Sequence, residues 1–178
     1  ANHCAVHMDG ARIFNASVAT KTPLDRMVRD YDSISICFSK GLGAPIGSVL
    51  VGSSSFIAQA HRWRKMFGGG MRQAGMLAAA GLHALDHHVE RMVEDHSRAT
   101  QLATSINAIN GFTVDLSTVE TNMVYFTSEI PATKVMDALA TSGIDVLDIG
   151  PHSCRIVVHL HVTDEDVSEV IRAFKNFA

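Results

Sequence analysis

The sequence has little of several features that mark particular classes of protein. Its 178 residues carry a formal charge of only −3, so no broad basic surface favours nucleic-acid binding. No apolar run approaches the roughly 18 residues that a membrane-spanning helix needs, and no basic-then-apolar segment marks a secretion signal. Repeats and low-complexity stretches are also absent, which disfavours disorder. A globular chain without nucleic-acid or membrane partners is therefore expected.

Cysteine is scarce as well. The three cysteines, Cys4, Cys37 and Cys154, are odd in number and widely spaced. Without a secretory context, this usage is typical of reduced thiols rather than of a disulfide framework. We therefore expect a cytoplasmic protein. The first residue is Ala1 rather than Met, which indicates that processing or truncation removed what came before.

The spacing of hydrophobic residues predicts an α/β fold in the first part of the chain. A short apolar strand over residues 3–8, a short helix over 23–29 and an alternating strand over 33–39 form a βαβ unit. Such crossovers join parallel strands. A brief apolar strand over residues 47–52 follows a short link, so it is expected to pair antiparallel.

Helical patterns dominate the next segment and define a domain boundary. A helix is expected over residues 56–65, and three consecutive glycines at 68–70 end it. One long helical tract is then expected over residues 72–109, with Asn110-Gly111 ending it. The expected division is a first domain over residues 1–110 and a smaller α+β domain over residues 111–178.

The second domain alternates short strands with two helices. The predicted elements are strands over 112–116, 122–127, 145–149 and 155–160 and helices over 131–141 and 164–177. Thr163 is expected to cap the last helix, with Asp166 three residues on.

Two residues of the βαβ unit could form a binding site for a cofactor. Asp9 and Lys40 each follow a predicted parallel strand, and ligands of open α/β sheets bind beyond those strand ends. A lysine can form a Schiff base with a carbonyl, and an aspartate can pair with a protonated pyridine nitrogen. This combination is typical of pyridoxal phosphate (PLP) sites. On spacing alone, an exposed lysine and an unrelated turn aspartate are the more common case.

Longer motifs around both residues favour the cofactor site. Three segments resemble signatures of the L-threonine aldolase family, in the family's order and spacing. They are residues 7–16 (HMDGARIFNA), 39–48 (SKGLGAPIGS) and 64–75 (RKMFGGGMRQAG). The resemblance implies PLP fold type I, the aspartate-aminotransferase fold, with the end of its large domain followed by its small domain. It also implies a PLP-dependent lyase that cleaves L-threonine or L-allo-threonine to glycine and acetaldehyde, in homotetramers with shared active sites.

The resemblance assigns roles to five residues. Lys40 would form the Schiff base with the cofactor, and Asp9 would hold the pyridine nitrogen. Arg12 would lie near the cofactor and, with Arg155 in the second domain, would bind the substrate carboxylate. Arginine suits this task because its guanidinium donates two parallel hydrogen bonds to a carboxylate. Arg72 would face the cofactor phosphate, across a subunit interface.

The resemblance also leaves an active-site histidine without a counterpart. In the family, a phosphate-binding loop and a histidine that stacks on the cofactor precede the aspartate motif, whereas only eight residues precede Asp9 here. His3 and His7 do not match the stacking histidine and are expected to pack beside the sheet. An N-terminally incomplete chain with an open strand edge is therefore expected.

Alternatives to the aldolase stay open. The chain could be a non-catalytic fragment that serves as a structural or oligomerising subunit, or another fold type I lyase such as a serine hydroxymethyltransferase-like or β-eliminating enzyme. The histidine pairs His83/His87 and His159/His161 have spacings that can ligate zinc, but packed or solvated histidines explain them more simply, so no metal is expected. The three glycines at 68–70 are not followed by Gly-Lys-Ser/Thr, which excludes a P-loop.

Overall fold

The computed structural model describes residues 4–177, in which backbone hydrogen bonds between strands define two separate sheets. The chain divides into two compact units, residues 1–90 and residues 91–178. The first unit holds a three-stranded sheet and the second a four-stranded sheet. Among the described residues, no helix is both long and apolar enough to cross a bilayer.

The first unit is built on a βαβ crossover. Its elements are β1 (His7–Asp9), α1 (Ile13–Thr20), α2 (Leu24–Val28), β2 (Ser33–Cys37), β3 (Ser48–Gly52), α3 (Ser54–Met66) and α4 (Gly75–His87). Strand β2 is central; it pairs parallel with β1 and antiparallel with β3, which confirms both predicted pairings.

Strand β1 begins later than the sequence suggests. Part of the predicted strand, including His3, lies outside the described residues. Before His7 the ladder is irregular, because the Val6 N–H donates to the side chain of Asp32 at 2.8 Å rather than to a strand carbonyl. Regular pairing starts where His7 meets Ser33, and the His7 ring there hydrogen-bonds the Ser33 hydroxyl at 2.8 Å.

Helix α1 is not predicted from the sequence. It has no capping side chain at Arg12, and the β-branched residues Val18 and Thr20 lower its intrinsic propensity. Burial stabilises it instead, since Ile13, Phe14 and Asn15 are all buried. Tertiary packing therefore overrides local propensity in this segment.

The single helix predicted over residues 72–109 is wrong. Helix α4 ends at His87, and a separate helix, α5 (Met92–Asn107), begins after a four-residue turn. Helix α5 has its own acidic first turn, in which the buried Asp95 accepts a hydrogen bond from Arg91 at 3.1 Å. The two compact units divide between Glu90 and Arg91. That division precedes the domain boundary expected after residue 110, because α5 contributes to the core of the second unit.

The second unit packs helices on one face of an antiparallel sheet. Its further elements are β4 (Phe112–Thr113), a 3₁₀ turn (Leu116–Thr118), β5 (Met123–Ser128), α6 (Ala132–Ala140), β6 (Leu147–Gly150), β7 (Ser153–Val157) and α7 (Asp164–Lys175). The strand order is β4-β5-β7-β6. The rings of Phe112, Phe126 and Phe174 contact one another edge to face, with centroids 5.2 to 5.9 Å apart.

The predicted cap of the last helix is confirmed. The Asp166 N–H donates to the Thr163 hydroxyl, and the Asp166 carboxylate accepts from the Thr163 N–H at 2.8 Å. Those hydrogen bonds from Thr163 lower the pKa of Asp166, because they favour the ionised carboxylate.

Candidate active site

Asp9 and Lys40 lie at the same edge of the first sheet. Asp9 ends β1 and is in register with Ser35 of the parallel strand β2. Lys40 follows the end of β2 at Cys37 by three residues. Both therefore leave the carboxyl ends of neighbouring parallel strands, where the sequence places them and where α/β sheets bind ligands.

The turn after β1 holds the Asp9 carboxylate at the surface. Its Oδ1 accepts a hydrogen bond from the Ala11 N–H at 3.2 Å. The Gly10 N–H donates to the carbonyl of Ser35 at 2.8 Å, and a Cβ at Gly10 would lie only 3.0 Å from that oxygen. Glycine thus allows β1 to turn tightly against β2 and leaves the carboxylate exposed.

Lys40 lies in a segment of ten residues, 38–47, which we name the lysine loop. The Phe38 N–H donates to the Gly47 carbonyl at 2.9 Å and closes its ends. The Gly43 N–H donates to the Lys40 carbonyl at 2.8 Å, and Gly43 itself has a φ of +69°. The Lys40 side chain is exposed, and its ammonium forms no ion pair with any residue in the range 4–177.

Helix α1 supports the lysine loop from one side. Asn15 is only 1% exposed, and a Cβ at Gly41 would overlap its side-chain oxygen. Gly41, directly after Lys40, therefore lies against a buried amide that leaves no room for a side chain. Sequence reasoning missed Asn15 as a site residue, although a polar residue beside the apolar Ile13 and Phe14 on one helix is a usable signal.

Arg12 carries an unsatisfied donor near the same edge. It lies in the turn that joins β1 to α1, three residues after Asp9. Its Nε is buried and has no hydrogen-bond partner in the part of the chain that the structure describes. A buried guanidinium nitrogen without a partner is costly, so it indicates a position where an acceptor belongs.

Arg72 and Arg155 belong to other elements of the chain. Arg72 is exposed in the connection between α3 and α4. Arg155 belongs to the second unit, in the middle of β7, where it is in register with Tyr125 and Leu147. Its Nε is also buried and lacks a partner among residues 4–177. The roles assigned to both arginines stay predictions.

The structure places His159 outside a strand, whereas the sequence predicted a strand over residues 155–160. His159 and His161 do not alternate along a strand, because β7 ends at Val157. The His161 N–H instead donates to the His159 ring at 3.3 Å in the connection to α7. The rings of His83 and His87 are in contact, with centroids 4.5 Å apart. Over the described range, no three His, Cys, Asp or Glu side chains are grouped to hold a metal ion.

Comparison with known proteins agrees with this geometry. The model of the Beta-eliminating lyase family matches residues 1–129. The chain belongs to that family.

Two curated relatives of this chain are named as threonine aldolases. It is 42% identical over 174 residues to "Low-specificity L-threonine aldolase 1" of Arabidopsis thaliana, covering 96% of this chain and 49% of that protein. It is 41% identical over 174 residues to "Low specificity L-threonine aldolase" of Escherichia coli K12, covering 97% of this chain and 51% of that protein. The chain thus spans about half the length of these relatives.

Solved structures support the fold of the chain. The threonine aldolase of Leishmania major superposes with a TM-score of 0.77 at 17% identity, covering 97% of this chain and 52% of that one. A sphingosine-1-phosphate lyase of Burkholderia pseudomallei superposes with a TM-score of 0.71 at 21% identity, covering 97% of this chain and 44% of that one. The predicted α/β fold, part of PLP fold type I, is therefore confirmed.

Proposed function

We propose that this chain binds PLP through Lys40 and contributes to an L-threonine aldolase, which cleaves L-threonine or L-allo-threonine to glycine and acetaldehyde. The observation that carries the proposal is the arrangement of Asp9, Arg12 and Lys40 at the carboxyl ends of β1 and β2. Membership of the Beta-eliminating lyase family and the names of the curated relatives support it.

The residues at this edge fit the chemical groups of PLP. The exposed amine of Lys40 can condense with an aldehyde, and the exposed carboxylate of Asp9 can accept a hydrogen bond from a pyridinium nitrogen. The buried Nε of Arg12 offers a donor without a partner among the described residues, which an anionic group would satisfy. No two of these three residues are paired with each other within residues 4–177, so each is available to a ligand.

The chain's own side chains would bind the cofactor and the substrate, orient them and move protons. When bound, PLP supplies an electron sink for the pair released as the Cα–Cβ bond breaks. The Asp9 carboxylate would keep a proton on the ring nitrogen by accepting a hydrogen bond from it. Lys40 would hold the cofactor through its Nζ, and the free amine would carry a proton. Arg12 and Arg155 would bind the substrate carboxylate, and Arg72 would face the cofactor phosphate.

A cytoplasmic homotetramer is the setting we propose for this activity. The three cysteines are free, which suits a reducing compartment. Large apolar side chains are exposed in the segment that joins α3 and α4 and in the first turn of α4, among them Phe67 at 82% and Met76 at 85%. Exposed apolar patches of this kind mark association surfaces, so a second copy of the chain is expected to cover them. Sedimentation velocity of the native chain and of Phe67→Ser tests this, with a smaller species expected for the variant.

Amino-acid cleavage tests the proposed reaction. The chain, supplied with PLP, should develop a visible absorption band and release glycine from L-threonine or L-allo-threonine faster than from L-serine. Lys40→Ala should lose both the band and the release, whereas Lys134→Arg, on helix α6 of the second unit, should keep both.

Three outcomes would separate the alternatives. Faster glycine release from serine would favour a serine hydroxymethyltransferase-like enzyme. A band without glycine release from any β-hydroxy amino acid would indicate a non-catalytic PLP-binding subunit. A band that persists in Lys40→Ala would contradict the cofactor assignment.

A further inference from the structure

The lysine loop is closed by its own hydrogen bonds but needs an outside contact to fix its position. Within the loop, the Ala44 N–H donates to the Phe38 carbonyl at 2.9 Å and the Gly43 N–H donates to the Lys40 carbonyl at 2.8 Å. These bonds set the curvature of the backbone around Lys40. They do not determine where the turn lies relative to the sheet and helices.

One side chain from the end of α4 supplies such a contact. The Nδ1 atom of His88 lies 2.6 Å from the carbonyl oxygen of Leu42, 46 residues away in the chain. A carbonyl oxygen only accepts hydrogen bonds, so Nδ1 must carry the hydrogen in this contact. Leu42 as a residue is only 1% exposed, so water competes little for its carbonyl oxygen.

The end of α4 is held in place, so it can anchor the loop. The His88 N–H donates to the carbonyl of Ala84 at 2.9 Å and continues the helical bonding pattern by one residue. Gly81, Ala84 and His88 follow helical spacing, and Gly81 and Ala84 are the buried residues of this helix. A Cβ at Gly81 would lie 3.4 Å from the Phe38 ring, so α4 also approaches the first residue of the loop closely.

We propose that His88 is a positioning residue for Lys40. Its ring N–H holds the Leu42 carbonyl and so fixes the backbone two residues after the lysine, while Asn15 packs against the residue between them. The lysine amine is thereby presented from a backbone held between α1 and α4. The proposal rests on the proposed function of Lys40 as the cofactor lysine. It goes beyond that function by naming a residue at the end of α4, outside the family motifs, on which the lysine's reactivity depends.

Amide hydrogen exchange tests the hydrogen bond between His88 and Leu42 without any need for the cofactor. In His88→Ala, the amides of Gly43 and Ala44 should exchange about tenfold faster than in the native chain, because the loop loses a hydrogen bond and a buried acceptor is left unpaired. His88→Asn should restore most of the protection, since its side-chain amide places an N–H near the position of Nδ1. His87→Ala is the matched control and should exchange like the native chain, because, within residues 4–177, the His87 ring contacts His83 and forms no hydrogen bond with the lysine loop, unlike His88.

A second experiment tests whether His88 affects the reactivity of Lys40. It measures the covalent capture of Lys40 by PLP, followed by borohydride reduction and peptide mapping. The capture rate should fall about tenfold in His88→Ala, in which amide exchange becomes faster, and it should recover in His88→Asn, in which the protection returns. If His88→Ala fails to fold, His88→Gln provides the same test. The longer glutamine side chain places its N–H near the position of Nε2 rather than of Nδ1, so it should not restore the hydrogen bond to Leu42.

Two results would overturn the proposal. One is exchange at Gly43 and Ala44 within twofold of native in both His88→Ala and His88→Gln. The other is faster exchange with an unchanged capture rate in a chain whose native form reacts at Lys40. A native chain that forms no adduct at Lys40 would instead contradict the proposed function, and the exchange rates would still decide whether His88 holds the loop.

Discussion

The residue that follows Lys40 has no room for a side chain, and this limits which residues the candidate site can accept there. Gly41 lies against the buried Asn15, with no room between them for a methyl group. The sequence shows that the lysine motif contains glycines. It does not show why Gly41 must be a glycine, because Asn15 approaches Gly41 only through the packing of α1. The motif therefore indicates the site, and the fold supplies the constraint.

Substitution of Gly41 tests this contact. Gly41→Ala should lower the free energy of unfolding by about 1–3 kcal/mol, because the new methyl group overlaps Asn15 in a packed environment. The matched control is Gly75→Ala, where a Cβ meets nothing within 4 Å. Urea titration measures both. Equal stability of the two variants would contradict the predicted overlap, as would a penalty for Gly41→Ala that is unchanged in an Asn15→Ala background.

The cysteines provide a second test at the residue scale. Cys154 is fully buried, and burial, followed by the charge of Asp148, raises the pKa of its thiol. Cys4 is exposed. Under native conditions an aromatic disulfide reagent should react with Cys4 quickly and with Cys154 only on unfolding, because the thiolate is the reactive form. The fast phase should vanish in Cys4→Ser, and modification of both thiols at comparable rates in the native chain would contradict the burial of Cys154.

At the scale of elements, the sequence predicted the strands that build the site better than the helices that support it. The alternation over residues 33–39 and the short link to β3 correctly indicated a parallel and an antiparallel pairing. The missed helix α1 lacks a cap, and the break between α4 and α5 contains neither proline nor glycine. Tertiary contacts determine both, so local patterns carried no signal for them.

Helix α7 is an element whose local signal and structure agree. Thr163→Ala should lower the free energy of unfolding by about 1 kcal/mol, because the Asp166 N–H loses its capping acceptor. Thermal or urea unfolding followed by circular dichroism measures this. Thr163→Ser is the control and should stay close to native, and an equal loss in both variants would contradict a capping role.

The same cap predicts a direction of pH dependence. The folded-state pKa of Asp166 lies below its ordinary value of 3.8, so its stabilising contribution is present above that value. The contribution is lost as the pH falls through the lower folded-state pKa. Asp166→Asn should therefore be less stable than native at neutral pH and approach it in strong acid, measured by urea unfolding at each pH. A stability difference that grows on acidification would contradict this sign.

At the scale of the whole molecule, the central finding is where the chain divides. Helix α5 contributes buried residues to the core of the second unit, among them Leu102 and Ile106. The sequence alone favoured a boundary after this helix, because Asn110-Gly111 is a strong helix end and the helical pattern continues from residue 72 without a proline or glycine at the break. A helix end is a local feature, whereas membership of a core depends on distant residues.

Two shorter chains distinguish these divisions. Residues 91–178 should unfold cooperatively by circular dichroism, because they include the helix that covers the sheet. Residues 111–178 should not, since removing α5 exposes the apolar face of β5 that it packs against. Cooperative unfolding of both chains at the same temperature would contradict the division between Glu90 and Arg91.

Mapping the site of covalent PLP capture is the decisive experiment for the proposed cofactor lysine. The chain has five lysines, and only Lys40 lies at the carboxyl edge of the parallel strands. After incubation with PLP, borohydride reduction and peptide mapping, the adduct should be found predominantly on Lys40 and should disappear in Lys40→Ala but not in Lys134→Arg. An adduct spread evenly over the five lysines, or one unchanged by Lys40→Ala, would show that this edge of the sheet is not the cofactor site.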